Sequence, residues 1–160
     1  MNQLDKLEAL RGSLLGAELD EDETAALADQ MGASALSDGE SLIALGDTRR
    51  TLVLLAQGAI SVLKIVGEKE EIVYQMRPGE CAGARSFVDG LPGRAGLRSL
   101  GDSQVLTLEP AAFESLVDTY PWLTYKVMRA LVRISHANIM RLNSETDQLR
   151  NYLLKTGGRY

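Results

Sequence analysis

The chain is poor in the residues that carry covalent and metal chemistry. One cysteine (Cys81) and one histidine (His136) in 160 residues exclude an intramolecular disulfide and a Cys/His zinc cluster. His136 lies beside Ser135 in a helical stretch without a positioned partner and reads as a surface or interface residue. Cys81 reads as a small core residue. No Gly-x-Ser-x-Gly elbow is present, nor a glycine-rich loop closing on Lys-Ser/Thr. No apolar run approaches about 18 residues, and MNQLDKLEALRGSLLG carries charges where a secretion signal needs an unbroken apolar stretch. Positive charge is also in deficit: 17 Lys+Arg against 22 Asp+Glu leave a net of −5. The basic residues are scattered, so the footprint that general nucleic-acid binding requires is missing. These absences predict a cytoplasmic, non-enzymatic chain with no metal, no membrane span and no direct DNA binding.

What is plentiful is glycine, 15 residues against four prolines, in a chain that is 45% hydrophobic. That composition is globular, and the length suits a single domain over residues 1–160. Leu4, Leu7, Leu10 and Leu14 recur at three- and four-residue intervals, predicting a short amphipathic helix that ends near Gly12 or Gly16. It reads as a lid or dimer-facing helix rather than a core element. Asp20 and Glu23 have the spacing of a capping box, opening a second helix through Thr24, Leu27, Ala28 and Met31 that Gly32 stops. Residues 1–32 are thus a helical preface.

From residue 34 to 108 the period changes. Short β-type runs (SLIAL, TLVLLA, AISVLKIV, EIVYQM, QVLTL) are punctuated by glycines every several residues, which signals an all-β barrel or sandwich. Ile60, Val62 and Lys64 are expected to share one strand face. Gly67–Glu68–Lys69–Glu70 reads as a hairpin turn whose charges are merely solvated. Helical spacing returns over 111–154, first with Phe113, Leu116 and Val117, then behind Pro121, where proline is tolerated in a first helical turn. A helix from Pro121 to Leu154 would be about 50 Å long, too long to bury its stripe on one small barrel. Its stripe, Val127, Leu131, Ile134, Asn138, Leu142, Leu149 and Leu153, is widened by Met128, Val132 and Ile139. The expected partner is the same helix of a second copy, with Val127, Leu131, Ile134, Asn138 and Leu142 at the interface and Asn138 fixing register.

Helix, glycine-punctuated roll, short helix and long closing helix, together with Gly39-Glu40, Gly46-Asp47, Gly58 and Pro78-Gly79-Glu80 in that order, resemble the cyclic nucleotide-binding domain of catabolite-activator-type regulators and kinase regulatory subunits. The resemblance runs from about Leu19 to Leu142. It implies a mainly β fold with α, a double-stranded β-helix of jelly-roll type flanked by N-terminal helices and a long C-terminal helix.

What the resemblance implies for function is concentrated in one loop. The family's phosphate-binding cassette reads Phe-Gly-Glu, a spacer, then Pro-Arg-x-Ala. A helix N-terminus and an arginine take the cyclic phosphate, and the glutamate accepts the ribose hydroxyl. The matching stretch here is ECAGARSFVDGLPGRAGLRSL, in which Gly83 and Pro92 agree. Ala84 stands where the glutamate is expected and Gly93 where the arginine is. Arg94 follows immediately and Arg85 lies one past the missing glutamate, so both are candidate anion ligands, with Gly83, Ala84 and Ala95 completing the cassette. The register of Leu97, Arg98, Asp102, Val105 and Leu106 favours the alignment that displaces Arg94. Asn138 lies near the place from which the family's long helix contacts the base. The implied ligand is a cyclic nucleotide or another phosphate-bearing molecule, bound weakly or not at all. In related regulators a winged helix-turn-helix follows the long helix. Residues 151–160 are too few for one, so output is expected through homodimer geometry or an unknown protein partner. The alternative is a ligand-free dimerisation or adaptor scaffold.

Overall fold

The computed structural model describes residues 1–157; residues 158–160, the last of the C-terminal tail, and the side chain of Leu4 lie outside the described residues. Two capped helices open the chain. In α1 (Gln3–Arg11) the Asn2 side chain accepts from the Asp5 amide and Asp5 accepts from the Asn2 amide. In α2 (Glu21–Gln30) Asp20 and Glu23 make the same reciprocal pair at 2.8 and 3.1 Å, as their spacing predicts. Contrary to the lid expectation, α1 belongs to the core. Leu10 and, just beyond the helix, Leu15 are 0% and 1% exposed, and Leu14 is the one turned to solvent. The helix is held on α2 by Lys6 Nζ donating to the Met31 carbonyl at 2.6 Å.

Eight strands follow: β1 (Gly32–Leu36), β2 (Ser41–Ile43), β3 (Leu52–Gln57), β4 (Ile60–Val66), β5 (Lys69–Met76), β6 (Cys81–Ala82), β7 (Gly96–Ser99) and β8 (Ser103–Leu108). They form two antiparallel four-stranded sheets, ordered β1-β8-β3-β6 and β2-β7-β4-β5. The run Leu52–Leu55 shows no alternation because both of its faces are buried. Leu52 and Leu54 pack with the helices, while Val53 and Leu55 pack between the sheets. Gly58 at φ 89° makes the tight turn into β4; an added Cβ would lie 2.5 Å from the Asp102 carbonyl oxygen, so only glycine fits.

In β4 the expected common face of Ile60, Val62 and Lys64 is broken. The register with β5 shifts between Val62 and Leu63, which turns Leu63 inward at 4% exposure and leaves Lys64 in solvent. The charges at the hairpin do more than meet water, since Arg98 Nη2 on β7 donates to Glu70 Oε1 at 2.9 Å.

One short helix interrupts the roll and two helices follow it. The six-residue α3 (Ala84–Asp89) sits between β6 and β7, and α4 (Pro110–Glu114) leads to α5 (Pro121–Gly157), 37 residues long. Val127, Leu131 and Ile134, expected at a dimer seam, are instead 0%, 2% and 7% exposed and buried in the chain's own core. The reason is rotational. The first half of α5 is apolar over more than half its circumference, and the sheet takes the Val127 face, leaving Val132, Ile139 and Leu142 open at 66%, 55% and 50%. Two basic clamps fix the helix. Arg129 forks onto Glu18 at 2.8 and 2.9 Å with Arg133 adding 2.7 Å, and Lys126 Nζ meets Glu23 Oε1 at 2.5 Å.

Candidate functional site

The site begins at a backbone constraint. Between β6 and α3 the chain turns through Gly83 at φ 85°, close under β3: an added Cβ would lie 2.6 Å from the Thr51 carbonyl oxygen. This glycine lets α3 start directly from the sheet. Phe87 anchors the helix, packing against Phe113 of α4 at 5.5 Å between centroids. Ala84, the first residue of α3, is half-buried against the helix-side core.

The candidate cations differ in what already holds them. Arg85 is exposed and faces Asp89 of its own helix, Nε to Oδ2 3.6 Å, a solvated pair one turn apart. Arg94 is exposed and makes no hydrogen bond or ion pair among the described residues. Ala95 is half-buried at the entry to β7. A further cation, Arg50, reaches α3 from the loop before β3. Its Nε and Nη2 donate to the Ser86 and Phe87 carbonyls at 3.2 and 3.3 Å, so it caps the C-terminal end of the helix rather than its start. The only sequence signal for it was the Arg49–Arg50 pair after Gly46-Asp47. Arg49 itself is engaged by Asp47 and the Leu42 carbonyl, and that arginine holds the Asp47 carboxyl below its ordinary range, chiefly through its backbone amide.

Asn138 is exposed on α5, and Arg141, one turn on, is the residue that returns to the roll. Its guanidinium carbon lies 3.8 Å from the centroid of the Tyr74 ring on β5. Tyr74 packs against the inter-sheet core together with Ala82, the residue before Gly83. Its hydroxyl donates to Glu80 Oε1 at 2.7 Å, and Glu80 Oε2 accepts from the Arg77 amide at 2.9 Å. Burial, and then Glu80, push the Tyr74 phenol above its ordinary value, so it stays a neutral donor. Beside it, burial pushes the Cys81 thiol up to about 12, which makes it a poor nucleophile.

Two grooves lie elsewhere. One of about 320 Å³ is lined by Leu36, Gln57, Asp102 and Ser103 among others. A second, of about 500 Å³, runs between the starts of α2 and α5 beside Trp122. Among the described residues no group of three or more His, Cys, Asp or Glu is placed to hold a metal ion. No helix among them is long and apolar enough to cross a membrane.

A turn glycine pressed on β3, a short helix launched from it and a long helix folding back over the roll form one constellation, and residues 34–120 match the family model described as cyclic nucleotide-binding domain. The chain belongs to that family. Among solved structures, a cyclic nucleotide-binding domain from Methylobacillus flagellatus KT is 22% identical with a TM-score of 0.78, covering 94% of this chain and 83% of that one. The N-terminal domain of a transcriptional regulator from Streptomyces coelicolor A3(2) is 24% identical with a TM-score of 0.71, covering 88% and 94%. The Thermus thermophilus catabolite activator protein is 23% identical with a TM-score of 0.73, covering 86% and 63%. No curated protein matches the chain in sequence. At these identities the likeness establishes the fold, a mainly β roll of this family with a long C-terminal helix.

Proposed function

We propose that this cyclic nucleotide-binding domain is a non-enzymatic regulatory module, one domain in extent, that works as a homodimer and holds a phosphate-bearing ligand weakly at Gly83–Arg94. The observation that carries the reading is the second apolar stripe of α5. Val132, Ile139, Thr146 and Leu153 repeat every seventh residue, and Ser135, Leu142 and Leu149 interleave at three- and four-residue steps. Ile139, Leu142, Leu149 and Leu153 are 50–60% exposed. Val132, Ile139 and Thr146 are β-branched at one position of the repeat and Leu142 and Leu149 stand at the other, a pattern that favours a parallel two-stranded coiled coil, with Leu153 and Ser135 departing from it at the ends. Glu145 and Arg150 have the five-residue offset at which opposite charges meet across such a pair. A free thiol at Cys81 and no disulfide fit a reducing cytoplasm.

Ligand binding is weak in this reading for a chemical reason. Ala84 offers no carboxylate to a ribose hydroxyl, and a hydrogen bond to a charged group contributes about 1.5–3 kcal/mol, roughly ten- to a hundredfold in affinity. Arg94 supplies the remaining positive charge, since Arg85 has Asp89 and Arg50 has the α3 carbonyls. The test is a thermal-shift series with cyclic AMP, cyclic GMP, cyclic di-GMP and inorganic phosphate, alongside analytical ultracentrifugation. The expected result is a dimer at tens of micromolar whose melting temperature rises with millimolar ligand and stops rising in Arg94→Ala. A melting curve that no ligand moves leaves the scaffold alternative standing, and a monomer removes both.

A further inference from the structure

The chain holds one of its own arginines between a ring and a carboxylate. Arg129 has its guanidinium carbon 5.0 Å from the centroid of the Tyr125 ring and forks onto Glu18 at 2.8 and 2.9 Å. Three residues earlier on α5, Trp122 meets Tyr125 edge to face at 5.8 Å and is 71% exposed, with no cation over its ring among the described residues. Trp122 and Lys126 line the groove of about 500 Å³ between the starts of α2 and α5, and so do Asp20, Asp22 and Glu23. Three carboxylates thus stand there against one ammonium. Asp20 and Asp22 are exposed, whereas the Glu23 side chain is only 9% exposed. Its Oε1 accepts from the Asp20 amide and the Lys126 ammonium, while Oε2 is buried with no hydrogen-bond partner. A buried carboxylate oxygen without a donor is costlier than a neutral acceptor left in the same state.

We propose that this groove is a docking site for an arginine on a basic segment of a partner protein, its guanidinium laid over Trp122 and its N–H groups directed to Glu23 and the Asp20–Asp22 rim. Arginine suits the groove better than lysine because its planar fork serves a ring and a carboxylate at once, as Arg129 does between Tyr125 and Glu18. The volume falls within the roughly 300–1,000 Å³ of ligand clefts, and tryptophan and arginine are the residues in which interface energy concentrates. The chain's net charge of −5 draws a basic segment toward the groove and works against a second acidic copy as its occupant. Docking here requires no ligand at Gly83–Arg94 and stands apart from the reading of the cassette.

Trp122 is the chain's one tryptophan, so its emission reports on the groove directly. The probes are tryptophan-free octapeptides of alternating arginine and serine, lysine and serine, or glutamate and serine, added to the full chain. The arginine peptide is expected to shift the Trp122 emission saturably, the lysine peptide to bind about two- to fivefold more weakly, and the glutamate peptide to cause no shift. With labelled arginine peptide followed by anisotropy, Trp122→Ala and Asp22→Asn should each weaken binding about two- to fivefold. Glu23→Gln, which keeps the capping box, should weaken it as well. Each variant is first checked for a cooperative melt. No shift with the arginine peptide at millimolar concentration, or an equal shift with the glutamate peptide, refutes the site. Binding that all three variants leave intact places the peptide elsewhere on the chain and refutes it too. Free arginine that shifts the emission as strongly as the peptide does marks a small-molecule site and overturns the docking of a protein segment. Sedimentation in which Trp122→Ala abolishes dimerisation assigns the groove to a second copy and overturns it likewise.

Discussion

Leu131 and Leu142 lie on the same helix, and both were legible as one apolar stripe, yet truncating them should have opposite consequences. Leu131 is 2% exposed inside the core shared with α1, α2 and β3. Leu131→Ala removes a fully packed side chain, at a cost of about 2–5 kcal/mol. At roughly 2–4 °C per kcal/mol for a chain of this size, the melting temperature should fall by about 5–20 °C. Leu142 is 50% exposed, so Leu142→Ala should change the stability of an isolated chain by no more than about 0.5 kcal/mol. Its effect belongs to association. At about 25 cal/mol per Å², the roughly 80 Å² of Leu142 still open to water contributes about 2 kcal/mol per chain when covered, or about 4 kcal/mol per dimer. That is on the order of a thousandfold in the dimer dissociation constant. Sedimentation equilibrium with circular-dichroism melts at matched concentration separates the two effects. A Leu142→Ala chain that dimerises as wild type does, or a Leu131→Ala chain that dissociates without losing stability, would show that the buried and open faces of α5 have been assigned the wrong way round.

Further outcomes are expected at the site and its supports. Ala84→Glu with Gly93→Arg should strengthen cyclic AMP binding by about ten- to a hundredfold per restored contact, read by calorimetry. Neither position has the positive φ that would strain a side chain, and the nearest obstacle at 93 is the movable Ser86 hydroxyl at 3.2 Å. Cys81, with its thiol pushed from 9.0 to about 12, should react with iodoacetamide at about pH 8 some thousandfold more slowly in the folded than in the unfolded chain. Equal rates would contradict its burial. Glu18 is held below its ordinary 4.5, first by its hydrogen bonds from Arg129 and then Arg133. Its contribution is therefore full above pH 4.5 and lost as pH falls through the lowered value. Glu18→Gln should flatten that part of the melting-temperature profile, and a profile identical to wild type would mean that the clamp carries none of it.

How far the sequence could be read depended on whether the deciding contact was local. The capping box of Asp20 and Glu23, the turn at Gly83 and the proline start of α5 are settled within a few residues, and each stands where spacing put it. The face of α5 was not settled that way. Leu131 and Val132 are neighbours on one broad apolar arc, and only the sheet beneath decides which of them it covers. The same holds for α1, whose leucines looked amphipathic but not central until α2 was laid beside them. β1 is not legible from periodicity because GASAL carries too few bulky residues to show one. Arg50 on α3 and Arg141 on Tyr74 join residues far apart in the chain, and no periodicity announces such pairs.

The unbroken run of α5 past Arg141 has a mechanical consequence. About 16 residues separate Arg141 from the described end at Gly157, an arm of roughly 24 Å at 1.5 Å per residue. A tilt of about 10° pivoting at Tyr74 would carry the tip of such an arm about 4 Å sideways. With no proline or glycine inside the arm to absorb the motion, an ångström-scale displacement at one aromatic ring is geared up rather than damped.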